Sequence, residues 1–512
     1  MNITNRELLL FVVVVIMGLA AAGYLYSLDK YSLTYYGDAV SHLVIARKIV
    51  DFQSPGIHQL GTVWLPLPHI LLLPFVLIEP LFRTGFAGLI VSLPSLAITS
   101  VLLYRMIKMY TGFSVLAFAA GLLYASNPNI MYMGLTAMTE APFMLFFVAS
   151  AYYFQRWYQN LGNKNNFYDL GKFSVFVSLA TLCRYEAWLL PFFVIVFVIM
   201  LLARGRINIK HKSIVILIST ISLSGIAFWL IWNAYYYDDA LAFANIQYYS
   251  AASQALERPF RENLFLQPMN VASIYVTTAI AIYGFALLVA AILGYILQRR
   301  FDGSKETKAY CIFFALPPAF TVVSITLGFA EMNQWWLNAR FLMLLAPLII
   351  YLAFVMVKWL PSRIRKKSFA IAGVIGILFL HPIATQVFGV VTFIDAKEGF
   401  IKTSPFSIQT GEALGSIYDG GRILMLTGSG EEHKIMFSSG IALRAFDDLS
   451  EPSTLESSFR EPWSYVKWIV ISSALDPDTE GYVKYWIDRQ EQLAKYFDIV
   501  YQNQYHKIML RK

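Results

Sequence analysis

The chain has 512 residues, of which 57% are hydrophobic, 16% aromatic and only 14% charged, with a formal net charge of +8. Soluble globular proteins carry about 25% charged residues, so this composition excludes an ordinary soluble protein. Repeated apolar runs of about 20 residues describe a polytopic, mainly α-helical membrane protein instead. The positive charge fits loops on the cytoplasmic side, and no nucleic-acid partner is expected. The two cysteines, Cys183 and Cys311, both lie in apolar runs and offer neither a disulfide framework nor a metal set.

Residues 8–28 form a first span that is too long for a signal-peptide core and is read as retained. Arg6 places the N-terminus in the cytoplasm. An outer loop begins at residue 29. Within it, Val40, Leu43, Val44 and Val50 recur at helical spacing against Asp38, His42, Arg47 and Lys48, the pattern of an amphipathic interfacial helix. Residues 66–82 are apolar but carry Pro66, Pro68, Pro74 and Pro80, so a bent or re-entrant segment is expected and the first outer loop runs over 29–82. A full span there would put Arg105 and Lys108 outside, against the positive-inside rule.

Spans are then expected at 86–104, 113–133, 141–157, 173–187, 188–203, 213–235, 271–297, 309–330, 339–357 and 368–393, about 11 with the first. Each strong basic cluster between spans falls inside: Arg105 and Lys108; Lys164 and Lys172; Arg204 to Lys212; Arg299 to Lys308; Lys358 to Lys367. From Asp395 the composition changes. Residues 422–427, 468–473, 498–502 and 507–510 read as strands and 481–497 as a helix with a charged face. The chain therefore divides into a membrane domain, 1–394, and a small extracytoplasmic α/β domain, 395–512. Thr427-Gly428-Ser429-Gly430 lacks the Lys-Ser/Thr ending of a phosphate loop and reads as a turn.

The acids that this topology brings to the outer membrane level are Asp38, Glu79, Glu140, Glu186 and Glu331. Ionisable groups at that depth are costly and are candidates for chemistry. Asp38 and Glu140 each open a helix, so for each a capping role competes with a catalytic one. His42 lies four residues after Asp38 and shares its helix face, which suits a substrate contact or half of a metal site. His58 and His69 complete the histidines of this loop, with Trp64 between them. Arg184-Tyr185-Glu186 interrupts an apolar run: the Arg–Glu pair either neutralises itself or holds a phosphate. Arg340 is the lone basic residue at the outer mouth of its span, where a lipid phosphate competes with simple snorkelling. Arg258 and Arg261 are further candidates, and Trp335 and Trp336 suit an interfacial belt.

In order and spacing these features resemble the GT-C superfamily of membrane glycosyltransferases, and within it the protein O-mannosyltransferase and aminoarabinose transferase group. The residues concerned are Gly37-Asp38-Ala39 after the first span, Trp64-Leu65-Pro66-Leu67-Pro68-His69, and Ser126-Asn127-Pro128 ahead of Thr139-Glu140-Ala141-Pro142. The resemblance implies an inverting transfer from a polyprenyl- or dolichyl-phosphate sugar donor to an acceptor protein, lipid or glycan at the outer leaflet. It makes Asp38 the general base and puts Glu140 at the second acidic, catalytic position; read from the residues themselves, His42, Trp64, His69, Arg184, Tyr185, Glu186 and Arg340 are the candidate substrate contacts. Relatives often have Asp-Glu in the first loop, where this chain has Asp38-Ala39, and a Lys before their Pro-Pro pair, which is replaced here. Some members use a divalent metal held by acids of both loops; with one acid in each loop here, no cofactor is expected. The phosphate leaving group needs positive charge, from Arg340 or Arg184, and the acceptor hydroxyl needs a base, on opposite sides of the sugar. The competing class is a secondary transporter or flippase for a lipid-linked or anionic substrate, which predicts internal repeats and midplane charges.

Overall fold

A computed structural model describes residues 3–161, 167–206, 212–245, 264–301, 305–330, 338–355, 376, 389–427, 430–447, 458–472, 485–486 and 488–512. Arg258, Arg261, Glu331, Trp335, Trp336, Gly428, Ser429 and most of the expected span 368–393 lie outside the described residues. The described chain is mainly helical with one small sheet near the C-terminus. Six of its helices are long and apolar enough to cross a membrane.

The first half contains α1 (Asn5–Leu28), α2 (Gly37–Lys48), α3 (Leu67–Val76), α4 (Glu79–Arg83), α5 (Phe86–Thr111), α6 (Ser114–Ser126), α7 (Pro128–Met133), α8 (Glu140–Gln159), α9 (Phe167–Thr181), α10 (Leu189–Ala203) and α11 (Lys212–Tyr237). Thr4 and Glu7 form a reciprocal cap at the start of α1, and Glu7 also pairs with Arg105 of α5 at 2.9 Å. The Pro-rich stretch is not a single long helix. Its α3 has 10 residues, about 15 Å, or half of a hydrocarbon core of about 30 Å. The expected span 113–133 is divided at Asn127, which is held extended before Pro128 and accepts from the N–H groups of Asn129 and Ile130 to cap α7.

The second half contains helices Pro268–Phe301, interrupted at Gly284 (φ 72°), and Lys305–Thr326, then a 3₁₀ turn, Ala339–Leu345, that leads into helix Ala346–Val355. A long helix, Val391–Ile417, connects to the sheet. The strands are β1 (Ile423–Leu426), β2 (Phe446–Asp447), β3 (Trp468–Ser472), β4 (Phe497–Gln502) and β5 (His506–Arg511), in the order β2-β1-β3-β5-β4. β1 is parallel to β2 and β3, with Leu424 beside Ile469, whereas β5 runs antiparallel to β3 and β4. β1 is buried along its whole length. Ile423, Met425 and Trp468 join the same continuous apolar core as α2, α5 and α8, while Leu424, Ile469 and Trp486 form a separate small core.

The sheet region rests on α2 and α4 through polar contacts. His433 and Ser41 are 2.9 Å apart (Nδ1 to Oγ), and Arg83 donates to the carbonyls of Met436, Phe437 and Ile441 at 2.7, 2.5 and 2.8 Å. These carbonyls lie around the end of helix Glu431–Ser438, where unpaired C=O groups favour a cation.

Candidate active site

Asp38 sits in the first turn of α2, whose N-cap position is Tyr36, with no side-chain cap. The capping reading of Asp38 is therefore not realised. Its carboxylate accepts instead from Arg340 at 2.7 Å, across 302 positions of sequence. Arg340 follows Asn338, a non-glycine residue at φ 22°, a value L-residues rarely adopt, and enters the site on the 3₁₀ turn. Its guanidinium lies over the rings of Tyr36 and Phe341, with centroids at 5.6 and 5.5 Å.

Glu140 begins α8 and is fully buried. Arg184 donates to its Oε1 at 2.5 Å, and Arg340 Nε lies 3.8 Å from the same oxygen. Thr139 does not cap α8; its hydroxyl accepts from Arg184 at 3.0 Å. Arg184 is held extended where α9 has ended, and Glu186 turns back onto it at 2.6 Å. The result is an alternating chain of charge, Asp38–Arg340–Glu140–Arg184–Glu186, drawn from four separate stretches of sequence. Its side chains are 37%, 15%, 0%, 10% and 10% exposed, so it opens toward solvent at Asp38. Glu140 Oε2 and Arg340 Nε are buried without a hydrogen-bond partner among the described residues.

Burial raises the proton affinity of Asp38, but the charge and hydrogen bond of Arg340, together with the charges of His42 and Lys434, outweigh it and leave its pKa below the ordinary carboxylate value. His42 is buried and 3.0 Å from His69, Nδ1 to Nε2, with Trp64 edge-on at 5.0 Å between ring centroids. Burial, only partly opposed by the Asp38 charge, holds the His42 pKa down to about 4. The two rings thus pair with each other. Tyr185 is engaged in the framework: its hydroxyl donates to the Val63 carbonyl at 2.9 Å and accepts from Trp229 at 3.0 Å. Trp232 donates to the Gly61 carbonyl at 3.0 Å, so the loop that carries Trp64 is tied to α11.

Glu79 forms ion pairs with Arg47 at 2.5 Å and Arg83 at 2.7 Å. His58 faces Ser54, 3.2 Å away. Among the described residues, no group of three or more His, Cys, Asp or Glu is placed to hold a metal. Sequence reasoning passed over three neighbours of the charge chain. Tyr36, whose hydroxyl donates to the Thr392 carbonyl at 2.9 Å, and Phe341 both adjoin candidates already chosen, and adjacency was the available signal. Lys434, from the C-terminal region, lies against Gly37, and its stretch reads as an ordinary surface helix.

A family model described as dolichyl-phosphate-mannose-protein mannosyltransferase matches residues 76–232, a stretch that includes Glu140 and Arg184–Glu186. No curated protein matches the sequence. Among solved structures, the chain is similar to ArnT from Cupriavidus metallidurans bound to undecaprenyl phosphate, with a TM-score of 0.59, 11% identity and 97% of each chain covered. It is also similar to the archaeal oligosaccharyltransferase AglB from Archaeoglobus fulgidus in complex with an inhibitory peptide and a dolichol-phosphate, with a TM-score of 0.52, 11% identity, and 96% of this chain and 73% of that one covered. At such identities the likeness is one of fold. The family match over residues 76–232 and the likeness in fold both agree with the GT-C resemblance read from the sequence.

Proposed function

We propose that the protein transfers a sugar from a polyprenyl- or dolichyl-phosphate donor to an acceptor hydroxyl on the extracytoplasmic face, with inversion, and that Asp38 is the general base. The observation that carries this reading is the ion pair between Asp38 and Arg340 at the open end of a buried charge chain. An acid and a guanidinium brought together from positions 302 apart provide both groups the reaction needs: a proton acceptor, and a cation for the departing phosphate. The in-line requirement sets them on opposite sides of the sugar, whereas here they touch. Donor binding therefore exchanges partners: Arg340 turns from Asp38 to the phosphate, and Asp38, relieved of the adjacent charge, becomes more basic. The acceptor oxygen then forms its bond to the anomeric carbon as its proton passes to Asp38. The carbon–phosphate-oxygen bond breaks with its electron pair on the lipid phosphate. Glu140 holds Arg184 and Arg340 in register throughout.

In this reading residues 1–394 form the catalytic membrane domain and residues 395–512 the extracytoplasmic domain, with the N-terminus in the cytoplasm. Asp38→Asn is expected to lower transfer from a labelled polyprenyl-phosphate sugar by at least about a hundredfold, the usual worth of a positioned base. Transfer at the unaltered rate would remove Asp38 from the mechanism. Orientation has its own check, because a cysteine introduced in the Asp38 loop must be labelled by an impermeant thiol reagent from the outer side.

A further inference from the structure

On the reading that this site takes a lipid phosphate, we infer that Lys434 of the C-terminal region is a further phosphate-binding residue, seated over the first turn of α2 beside Asp38. Several contacts put it there. A Cβ built on Gly37 would lie 3.4 Å from Lys434 Cε and 3.7 Å from its Nζ, so the lysine stem runs across the glycine that precedes Asp38. The helix that carries it, Glu431–Ser438, is fixed on both sides of this position: His433 meets Ser41 of α2 at 2.9 Å, and Arg83 of α4 holds the carbonyls of Met436, Phe437 and Ile441.

Charge then distinguishes Lys434 from the two arginines. Arg340 is engaged by Asp38, and Arg184 by Thr139, Glu140 and Glu186. Among the described residues no carboxylate lies within ion-pair distance of the Lys434 ammonium; Glu431, three residues before it, faces His506 at 2.9 Å. The three acids and two arginines of the charge chain sum to −1, which repels a phosphate; Lys434 brings the site to neutrality. Partial burial lowers the proton affinity of this lysine below its ordinary value, and an anion beside it would reverse that cost. A compact ammonium with no fixed partner suits a phosphate oxygen even before Arg340 turns from Asp38.

The test measures binding by the full-length purified chain, with undecaprenyl phosphate as the probe, the uncharged polyprenol as control and inorganic phosphate as competitor. Lys434→Gln is expected to weaken binding of undecaprenyl phosphate by at least about tenfold, the value of a charge-assisted hydrogen bond, and to leave polyprenol binding and the unfolding temperature unchanged. Lys434→Arg should restore most of the affinity. If inorganic phosphate competes fully at the lysine and the lipid tail adds nothing, the site is for free phosphate and the lipid assignment is overturned. Equal affinity in the Gln variant overturns the inference, as does a loss shared by both variants with a lowered unfolding temperature, which assigns Lys434 to packing. If the unaltered chain does not bind the lipid phosphate, the donor reading itself fails, and that outcome is distinct from one in which only Lys434 proves idle.

Discussion

Glu140 and Asp38 are both carboxylates paired to arginine, yet their surroundings predict opposite consequences for removing the charge. Glu140 is fully buried and serves Arg184 and Arg340 together. In Glu140→Gln two buried guanidinium groups lose a counter-charge, and breaking a buried pair from one side costs about 3–5 kcal/mol. Asp38 is 37% exposed and only its partner Arg340 is buried, so solvent partly screens the loss and Asp38→Asn should cost less than Glu140→Gln. Thermal unfolding of the two variants checks this: a larger fall for Asp38→Asn than for Glu140→Gln would reverse the assigned burial. His42 yields a prediction in pH. Its pKa is held at about 4 in the folded chain against an ordinary value of 6.5. As pH falls below 6.5 the unfolded chain takes up protons that folded His42 and its buried neighbour His69 refuse, so their contribution to stability declines, that of His42 between pH 6.5 and about 4. His42→Asn should flatten that slope in pH-dependent unfolding, and an unaltered slope would place its origin elsewhere. The candidate residues themselves were legible because charge at membrane depth is conspicuous. Their partners were not: nothing in the spacing of Asp38 announces Arg340, and the i,i+4 relation of Asp38 and His42 points away from the His42–His69 pair, which closes only when α3 folds against α2.

The loop that carries Thr139 and Glu140 is positioned by how closely one helix lets it approach. A Cβ built on Gly88 of α5 would lie 2.5 Å from the backbone nitrogen of Ala137 and 2.6 Å from its Cα. Those are backbone atoms, which cannot swing aside as a flexible side chain would. Gly88→Ala should therefore push the 134–139 segment outward and cost about 1–3 kcal/mol, as overpacking does. Because Arg184 bonds both Thr139 and Glu140, the displacement should lower transfer more than the loss of stability alone accounts for. Comparing transfer and unfolding temperature in one preparation tests this, and full activity would show that the loop tolerates the shift. At this scale the apolar runs and prolines foretold most helices, and four of the five described strands agree with expectation to within a residue, since short apolar stretches bounded by turns are a local signal; the two-residue β2 was not expected. The break at Asn127 was missed because hydropathy averages across it, although Asn-Pro carries its own stop and cap.

At the scale of the molecule, the membrane helices and the C-terminal sheet meet at the site. Tyr36 reaches Thr392 and Asp395, Ser41 meets His433, and Arg422 pairs with Asp447 at 2.6 Å beside Gln53 of the first loop. No periodicity in sequence reports such docking, because each surface reads as ordinary until the other covers it. Arg83 is the most heavily committed contact, with three carbonyls of the C-terminal region and Glu79 on one guanidinium. Arg83→Met keeps the apolar stem and removes every donor, leaving the carbonyls at the end of helix Glu431–Ser438 without their cation. That helix should then fray from its C-terminal end and loosen its seat on α2. Hydrogen exchange is expected to quicken over 431–441 and around Ser41 while α5 and α8, which do not depend on this clamp, keep their protection. If the sheet region matters to the site, the same variant must also bind a lipid phosphate more weakly, since Lys434 moves with the helix. Quickened exchange with unaltered lipid binding would separate the two and leave the C-terminal region a cover, whereas unchanged exchange would mean that His433 and Tyr36 suffice to hold it.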